Sequence, residues 1–470
     1  MAEFSLAALT AKEQAALVRQ RKVSPVEIVE SCLGRIESAN EKLNSFLTVA
    51  GDEAMQAARR LERAMAKGRK AGPLAGVPVG LKDCIETKGI RTTAGSRALE
   101  HHVPAYDATL VRKLKEADAI VIGKTHLSEA ATAPTVFGDM RNPWDTKRLA
   151  GASSGGSASA VAASMCGVAI GTDTGASVRM PAAYSGIVGL KPTFGRISRH
   201  GIYPLSWSLD HAGPMTRTVE DTAIALAVVS GLDPLDIWSA DAPVGNYQRA
   251  LARGVKGLRM GIPKEWFFDL VEPETLGAVE KGIRALKGLG MASRHVSIPL
   301  VTTSIENSHT LRVVEAGVSL GPMVDKDPEK YGKVVRDSIA TGRATAATAY
   351  AAAQEYRQKL RCQLRDAFAS VDVIITPTTP MAAPLLTEFL YDTDYKVNGK
   401  SVPLGYALAG FAHLCNLTGY PAVSIPCGFT SNGLPIGMQI IGKPFDEAMV
   451  LRVAHAFEQS TPHHTKRPPV

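Results

Sequence analysis

From Pro73 onward, short apolar runs alternate with segments of helical period, and this alternation limits the fold more than any other feature of the chain. Val77 to Leu81 reads as a buried strand, Asp107 to Glu116 as a helix, and Ala119 to Gly123 as the strand after it. Ser157 to Met165 reads as a helix of small residues. Val168 to Gly171 and Ile187 to Gly189 are short strands, and Thr218 to Ser230 is a further helix. Buried strands alternating with helices build an α/β sheet covered on both faces.

The flanks follow from local signals. Ser24-Pro25-Val26-Glu27 is a helix start, with Ser24 as cap, Pro25 at the first helical position and Glu27 to close the capping box. A second helix is expected over about Asp52 to Ala66. Asn432-Gly433 marks a turn between Ala422–Ile425 and Ile436–Ile440. The expected organisation is one α/β unit in four stretches: residues 1–70 a helical wrapping segment, 71–234 the catalytic core, 235–370 a peripheral and mostly helical section, and 371–470 strands and helices that complete the unit.

A chain of 470 residues with 45% hydrophobic and 21% charged residues has the composition of an ordinary globule. The formal net charge of +8 makes nucleic-acid binding the first class to test. The basic cluster from Arg59 to Lys70 reads as the solvated face and end of a helix, and no recognition motif accompanies it. None of the six cysteines forms a C-x-x-C pair, so they read as reduced core residues. No secretion signal and no apolar run of bilayer length is visible, which makes a cytoplasmic location the default expectation. The tail from His463 to Pro469 reads as a frayed end.

Three segments carry residues capable of chemistry. Lys82 ends an apolar strand, where lost solvation lowers a lysine's pKa. This matters because a free lysine, with pKa ~10.4, is neutral in only about one part in 10³ at pH 7, and only the neutral amine is a base. Taken alone, Lys82 fits two readings: a base, or the structural partner of an acid. Gly151-Ala152-Ser153-Ser154-Gly155-Gly156-Ser157 fits a turn before a helix, and also the short nucleophile-elbow pattern. It lacks the lysine of a phosphate-binding loop. Gly171-Thr172-Asp173-Thr174-Gly175-Ala176-Ser177 leads into a helical turn whose unpaired N–H groups can hold a developing oxyanion. Asp173 and Arg179 flank its serine and are expected to pair and stiffen the loop. His101, His102, His126 and His211 do not sit in settings typical of a base with an orienting acid, and histidine spacing gives no metal site. No metal and no cofactor is expected.

Together these pieces resemble the amidase-signature family of hydrolases. The likeness is carried by the run from Pro73 to Asp83, then Thr92–Ser96, Gly123–Thr125, Asn142–Asp145, Gly151–Ala158, Gly171–Ser177 and Gly189–Arg196. It continues through Thr376–Thr378 and Gly433–Ile440. The resemblance implies a large, mixed, twisted central β-sheet covered on both faces by helices. It implies Ser177 as nucleophile, Ser153 as bridging serine and Lys82 as terminal base, with a cis peptide bond between Ala152 and Ser153. The N–H groups of Thr174, Gly175 and Ala176 would form the oxyanion hole, and Ala152, Ser154, Asp173 and Arg179 would shape the site. The family usually has glycine where this chain has Ala152 and Ala176, so each adds a methyl beside the reacting groups.

The resemblance implies an amidase, a C–N hydrolase acting on linear amides. The substrate expected is a small neutral amide, anilide or carbamate, with Tyr203–Trp207, Phe389–Asp392 and Thr132–Val136 as pocket walls. The alternatives are the glutaminase subunit of a transfer-RNA-dependent amidotransferase, or an aryl- or fatty-acid amide or ester hydrolase. Expected partners are the amide or carbamate and water, with no nucleic acid and no membrane; a homodimer stays open.

Overall fold

A computed structural model describes residues 5–132, 134–388 and 394–470. The start at Ser24 forms as expected: the Ser24 side chain and Glu27 make a reciprocal capping box, and Pro25–Leu43 is a helix, α1. The other helices that bear on the site are α2 (Gly155–Ala162), α3 (Arg179–Ser185), α4 (Ser304–Ser319), α5 (Leu404–Ala409) and α6 (His413–Thr418).

The strands are β1 (Phe46–Val49), β2 (Pro78–Lys82), β3 (Ile120–Thr125), β4 (Val168–Asp173), β5 (Val188–Lys191) and β6 (His211–Thr216), followed by β7 (Arg259–Pro263), β8 (Ala292–Val296), β9 (Val373–Pro377), β10 (Ala422–Phe429) and β11 (Pro435–Ile441). All join one 11-stranded sheet in the order β1-β3-β2-β4-β6-β5-β10-β11-β9-β7-β8. The sheet is mixed. β3, β2 and β4 run parallel, as do β9, β7 and β8, while the strands between them pair antiparallel. Strands expected from the apolar runs are present, and the Asn432-Gly433 turn closes the β10–β11 pair with Gly433 at φ 85°.

Both faces of the sheet are covered, and the strand period of two divides its side chains between them. Val168 and Ile170 of β4 enter one core, with the helices Val219–Val229 and Glu447–Ser460. Ala169, between them, enters the other with α1 and α2. α2 is made almost wholly of Gly, Ser and Ala because it runs close against the sheet. A third core joins Leu311 of α4 and Leu414 and Leu417 of α6 to Ile374 of β9 and Ala422 of β10. This core fixes the wall that faces the ends of β2 and β4.

Arg59, Arg60, Arg63, Lys67, Arg69 and Lys70 are exposed on and just after the helix Gly51–Ala66. Five cysteines are buried; Cys362 is exposed, and all six are free. The tail differs from its expectation as a frayed end. His463–Thr465 forms a 3₁₀ turn, Lys466 lies 4.6 Å from the centre of the Phe429 ring, and Arg35 donates to the Val470 carbonyl. Aromatic contact holds a segment that its polarity alone would leave loose. Among the described residues, no helix is long and apolar enough to cross a membrane.

Candidate active site

β2 ends at Lys82, and its parallel neighbour β4 pairs Ile170 with Leu81, so Gly171 comes level with the lysine and Thr172 lies one residue further along. Lys82 Nζ donates to Thr172 Oγ1 at 2.7 Å and to Ser153 Oγ at 2.6 Å. Ser153 arrives from the loop before α2, and the Ala152–Ser153 peptide bond is cis, as the resemblance implies. Gly151 is required there: its φ is 107°, and a Cβ would stand 2.6 Å from Pro181 Cα.

Lys82 is fully buried. Burial disfavours the ammonium and lowers its pKa to about 8, against the opposing pull of Cys84, Asp173 and Asp210. Both of its hydrogen-bonding partners are hydroxyls, which tolerate a neutral amine as readily as a charged one. The ion-pair reading of Lys82 does not hold among these contacts.

Ser153 and Ser177 line one cavity of about 190 Å³. Thr174, Gly175 and Ala176 line it too, and among the described residues their backbone N–H groups take no internal acceptor. Ser177 Oγ makes no hydrogen bond among the described residues, so the Lys82–Ser153 link is closed while the link onward to Ser177 is open. Catalytic hydrogen bonds commonly tighten only when substrate is bound.

The loop that carries these donors is held from below. Asp173 and Arg179 form the expected pair, 2.9 Å apart and wholly buried. Asp173 also accepts the N–H groups of Val178 and Arg179 at 3.1 and 3.4 Å. Burial alone would raise the Asp173 carboxyl, but Arg179 and Asn416 overcome it and hold the group well below the usual carboxylate range. Arg179 reaches on to Gln439 Oε1 at 2.7 Å, Asn416 Oδ1 at 2.6 Å and the Ala412 carbonyl at 2.9 Å. This ties the loop to α6 and β11. Above, Thr174 Oγ1 donates to Asp210 Oδ1 at 2.6 Å, and Ser154 Oγ donates to the Thr172 carbonyl at 3.1 Å.

Neither extra methyl strains the backbone, because Ala152 and Ala176 both lie outside the positive-φ residues. Ala176 packs with Met180, Tyr184 and Leu408. Gly175 must stay glycine, since a Cβ would lie 2.7 Å from His413 Cε1.

The expected pocket walls are met in part. Thr132 and Leu205 line the cavity of Ser153 and Ser177. Tyr203, Pro204 and Trp207 line a neighbouring cavity of about 250 Å³ instead, with Asp210 and Thr172. The two spaces share Ala131, Thr174 and Leu205. Of that contiguous run only Leu205 reaches the cavity of Ser153 and Ser177. Phe389–Asp392 lies outside the described residues.

Side chains with no local signature complete the cavity: Arg312 and the α5 residues Leu404 and Leu408, together with His413. His413 Nδ1 bonds Ser308 Oγ at 3.0 Å, not Ser153 or Ser177, and burial together with Arg312 lowers its pKa to about 3. Their distance in sequence from Ser177 hid them. Thr172 was nearer to hand, since it lies in the Gly171–Ser177 motif on the strand beside Lys82.

The fold and the Lys82–Ser153 pair fit the class of amide-cleaving hydrolases. The chain belongs to the Amidase family, whose model matches residues 27–451, and it is accordingly an amidase, a C–N hydrolase. It is 40% identical over 488 residues to a Glutamyl-tRNA(Gln) amidotransferase subunit of Moorella thermoacetica, with 98% of each chain covered. The crystal structure of the same-named protein from Thermotoga maritima is 33% identical, with a TM-score of 0.82 and 98% and 97% of the two chains covered. A bacterial aryl acylamidase of the amidase-signature enzymes is 28% identical, with a TM-score of 0.89 and 97% of each chain covered.

These relatives correct one expectation, that of a chain with no nucleic-acid partner. Proteins 40% identical along nearly their whole length are named as part of an enzyme whose name carries a transfer RNA. The expectation rested on a missing recognition motif. One member of an assembly can serve nucleic-acid chemistry without carrying such a motif itself.

Proposed function

We propose that the chain hydrolyses a carboxamide through an acyl-enzyme on Ser177. The observation that carries this reading is a fully buried Lys82 bonded at 2.6 Å to Ser153, beside a cavity that Ser153 shares with Ser177. Neutral Lys82 takes the Ser153 proton as Ser153 takes the proton of Ser177. The Ser177 oxygen attacks the carbonyl, and the N–H groups of Thr174, Gly175 and Ala176 receive the negative oxygen. Losing one such donor costs roughly 3 kcal/mol in other enzymes, so these contacts rival the base in weight. The proton then returns through Ser153 to the leaving nitrogen, and water releases the acyl group by the same route.

On the substrate, the relatives' names support a glutaminase subunit, which frees ammonia from glutamine for a transfer-RNA-dependent amidotransferase. A second reading, the hydrolysis of small amides, anilides or carbamates, is supported by the apolar lining from Met180, Leu205, Leu404 and Leu408.

The test has two parts. Ser177→Ala should abolish turnover while the fold survives, and intact-mass measurement should find the acyl adduct on Ser177 of the unaltered chain. Full activity in Ser177→Ala would end the assignment. Ammonia release from glutamine that needs a co-purifying partner supports the glutaminase reading. Turnover of anilides by the isolated chain, without glutamine preference, supports the second reading.

A further inference from the structure

The loop that bears the oxyanion donors is held at its far end by Asp173, which accepts the Val178 and Arg179 N–H groups. Its near end begins at Thr174, and the hold there is different. β4 and β6 pair antiparallel with Asp173 opposite His211. The same register carried one step on sets Thr174, just past β4, across from Asp210, just before β6. Thr174 Oγ1 donates to Asp210 Oδ1 at 2.6 Å. Of the three residues whose N–H groups face Ser177, Gly175 and Ala176 have no polar side chain. The Thr174 hydroxyl is thus the one side-chain handle by which these three can be held.

Oδ2 of the same carboxylate accepts the N–H groups of Leu205 and Ser206, both at 2.9 Å. Leu205 lines the cavity of Ser153 and Ser177 and also its neighbour, as Thr174 does. One carboxylate therefore joins the donor loop to the wall at Leu205. Among the described residues no cation lies within ion-pair distance of it, since Arg199 reaches the Trp207 and Asp210 carbonyls and pairs with Asp236. Burial raises the Asp210 carboxyl, and the bonds from Thr174, Leu205 and Ser206 oppose this by favouring the ion. Its work is to accept three hydrogen bonds, not to balance a neighbouring charge. Oxyanion donors stabilise the developing charge only when aimed in advance, and a misplacement of about 1 Å can cost on the order of 10²-fold in rate.

We propose that Asp210 is a positioning residue for amide cleavage: through the Thr174 hydroxyl it aims the donor loop at the site of the oxyanion, with the Leu205–Ser206 backbone as its anchor. The proposal rests on the acyl-enzyme at Ser177 and adds the residue that sets its oxyanion hole. Asp210 is not among the described residues that line the cavity of Ser153 and Ser177, so it acts through Thr174.

The experiment compares Thr174→Val, Thr174→Ser, Asp210→Ala and Asp210→Asn with the unaltered chain. Substrates are butyramide, acetanilide, and glutamine with any co-purifying partner present. A second readout is the Ki of propylboronic acid, whose boron binds a serine oxygen as a tetrahedral anion. Thr174→Val keeps the N–H and the side-chain shape and removes only the hydroxyl. It should lower kcat tenfold or more with little change in KM, and raise the boronic acid Ki by a similar factor. Asp210→Ala should do the same, and the double variant should lose no more than the larger single loss, because both cut one link. Thr174→Ser should recover most of the activity, and Asp210→Asn part of it, since its amide oxygen still accepts. Unchanged kcat and Ki in Thr174→Val would overturn the proposal, even where Asp210→Ala fails to fold. So would losses that multiply in the double variant, or a loss confined to KM or Tm. Turnover persisting in Ser177→Ala, or no turnover of any amide, would reject the Ser177 reading itself, so the two failures are distinguishable.

Discussion

Lys82 ends β2 and Lys124 is the last residue but one of its parallel neighbour β3, and both are fully buried, yet they meet different partners. Lys124 Nζ donates to the Ile85 carbonyl at 2.5 Å and to Thr92 Oγ1 at 2.6 Å, and lies 3.6 Å from the Asp83 carboxylate. Burial lowers its pKa, and Asp83 is the first force against that shift. Among the described residues, Lys82 meets two hydroxyls and no carboxylate at hydrogen-bonding distance. The lesson is that burial alone does not make a base. An adjacent acid turns a buried lysine into a strut between loops, and hydroxyl partners leave it free to exchange a proton with one of them.

Substitution at both positions gives the sharpest way to break this comparison. Lys82→Met should lower kcat/KM by roughly 10²–10⁴, the span of general-base catalysis, without lowering Tm. Lys124→Met should instead lower stability by about 3–5 kcal/mol, because Asp83 is left buried without its cation. Denaturant unfolding and steady-state rates on the two variants check both halves. A Tm loss in Lys82→Met as large as in Lys124→Met would erase the distinction.

The pH profile comes next. Only neutral Lys82 accepts a proton, and its pKa is about 8. The rate should therefore fall about tenfold per pH unit below pH 7, rise through pH 8 and level off above. The stability sign runs the same way. The folded pKa lies below the ordinary lysine value, so the unfolded chain binds more protons between about 8 and 10.5. Stability from this group should thus rise with pH across that window and be lost below it. Lys82→Met should flatten that limb in both rate and stability. A pH-independent rate between 6 and 9 would contradict the role, as roughly two decades of change are expected there.

The smallest effect is expected at Thr172. Thr172→Val removes one of the two hydroxyls that orient Lys82, while Ser153 remains. A loss of about 1 kcal/mol, near fivefold in kcat, is expected, with Tm little changed. An effect as large as that of Lys82→Met would mean that Thr172, not Ser153, lies on the proton route.

The strands and helices were legible because burial imprints a local period. Val168 to Gly171 was legible instead as a short, wholly buried apolar run, and the helix start at Ser24 and the turn at Asn432-Gly433 by their residue types. The Asp173–Arg179 pair was legible too, since the two residues flank one short loop. The insertion of β6 between β4 and β5 was not, because antiparallel neighbours are chosen by register and burial across loops, and no local spacing encodes them. The run Tyr203–Trp207 shows the same limit within five residues: Tyr203, Pro204, Leu205 and Trp207 all line the neighbouring cavity, and only Leu205 also reaches the cavity of Ser153 and Ser177.

What the sequence determined by itself was the set of elements, the two serine loops and the lysine at a strand end, because each is written in neighbouring residues. Tertiary structure alone decided that Thr172 meets Lys82, that Asn416 and Gln439 anchor Arg179, and that Arg312 and His413 line the cavity of Ser153 and Ser177. Those contacts join residues far apart in the chain. Their proximity comes from the packing of α4 and α6 against the sheet, a property of the whole core that no short stretch of sequence contains.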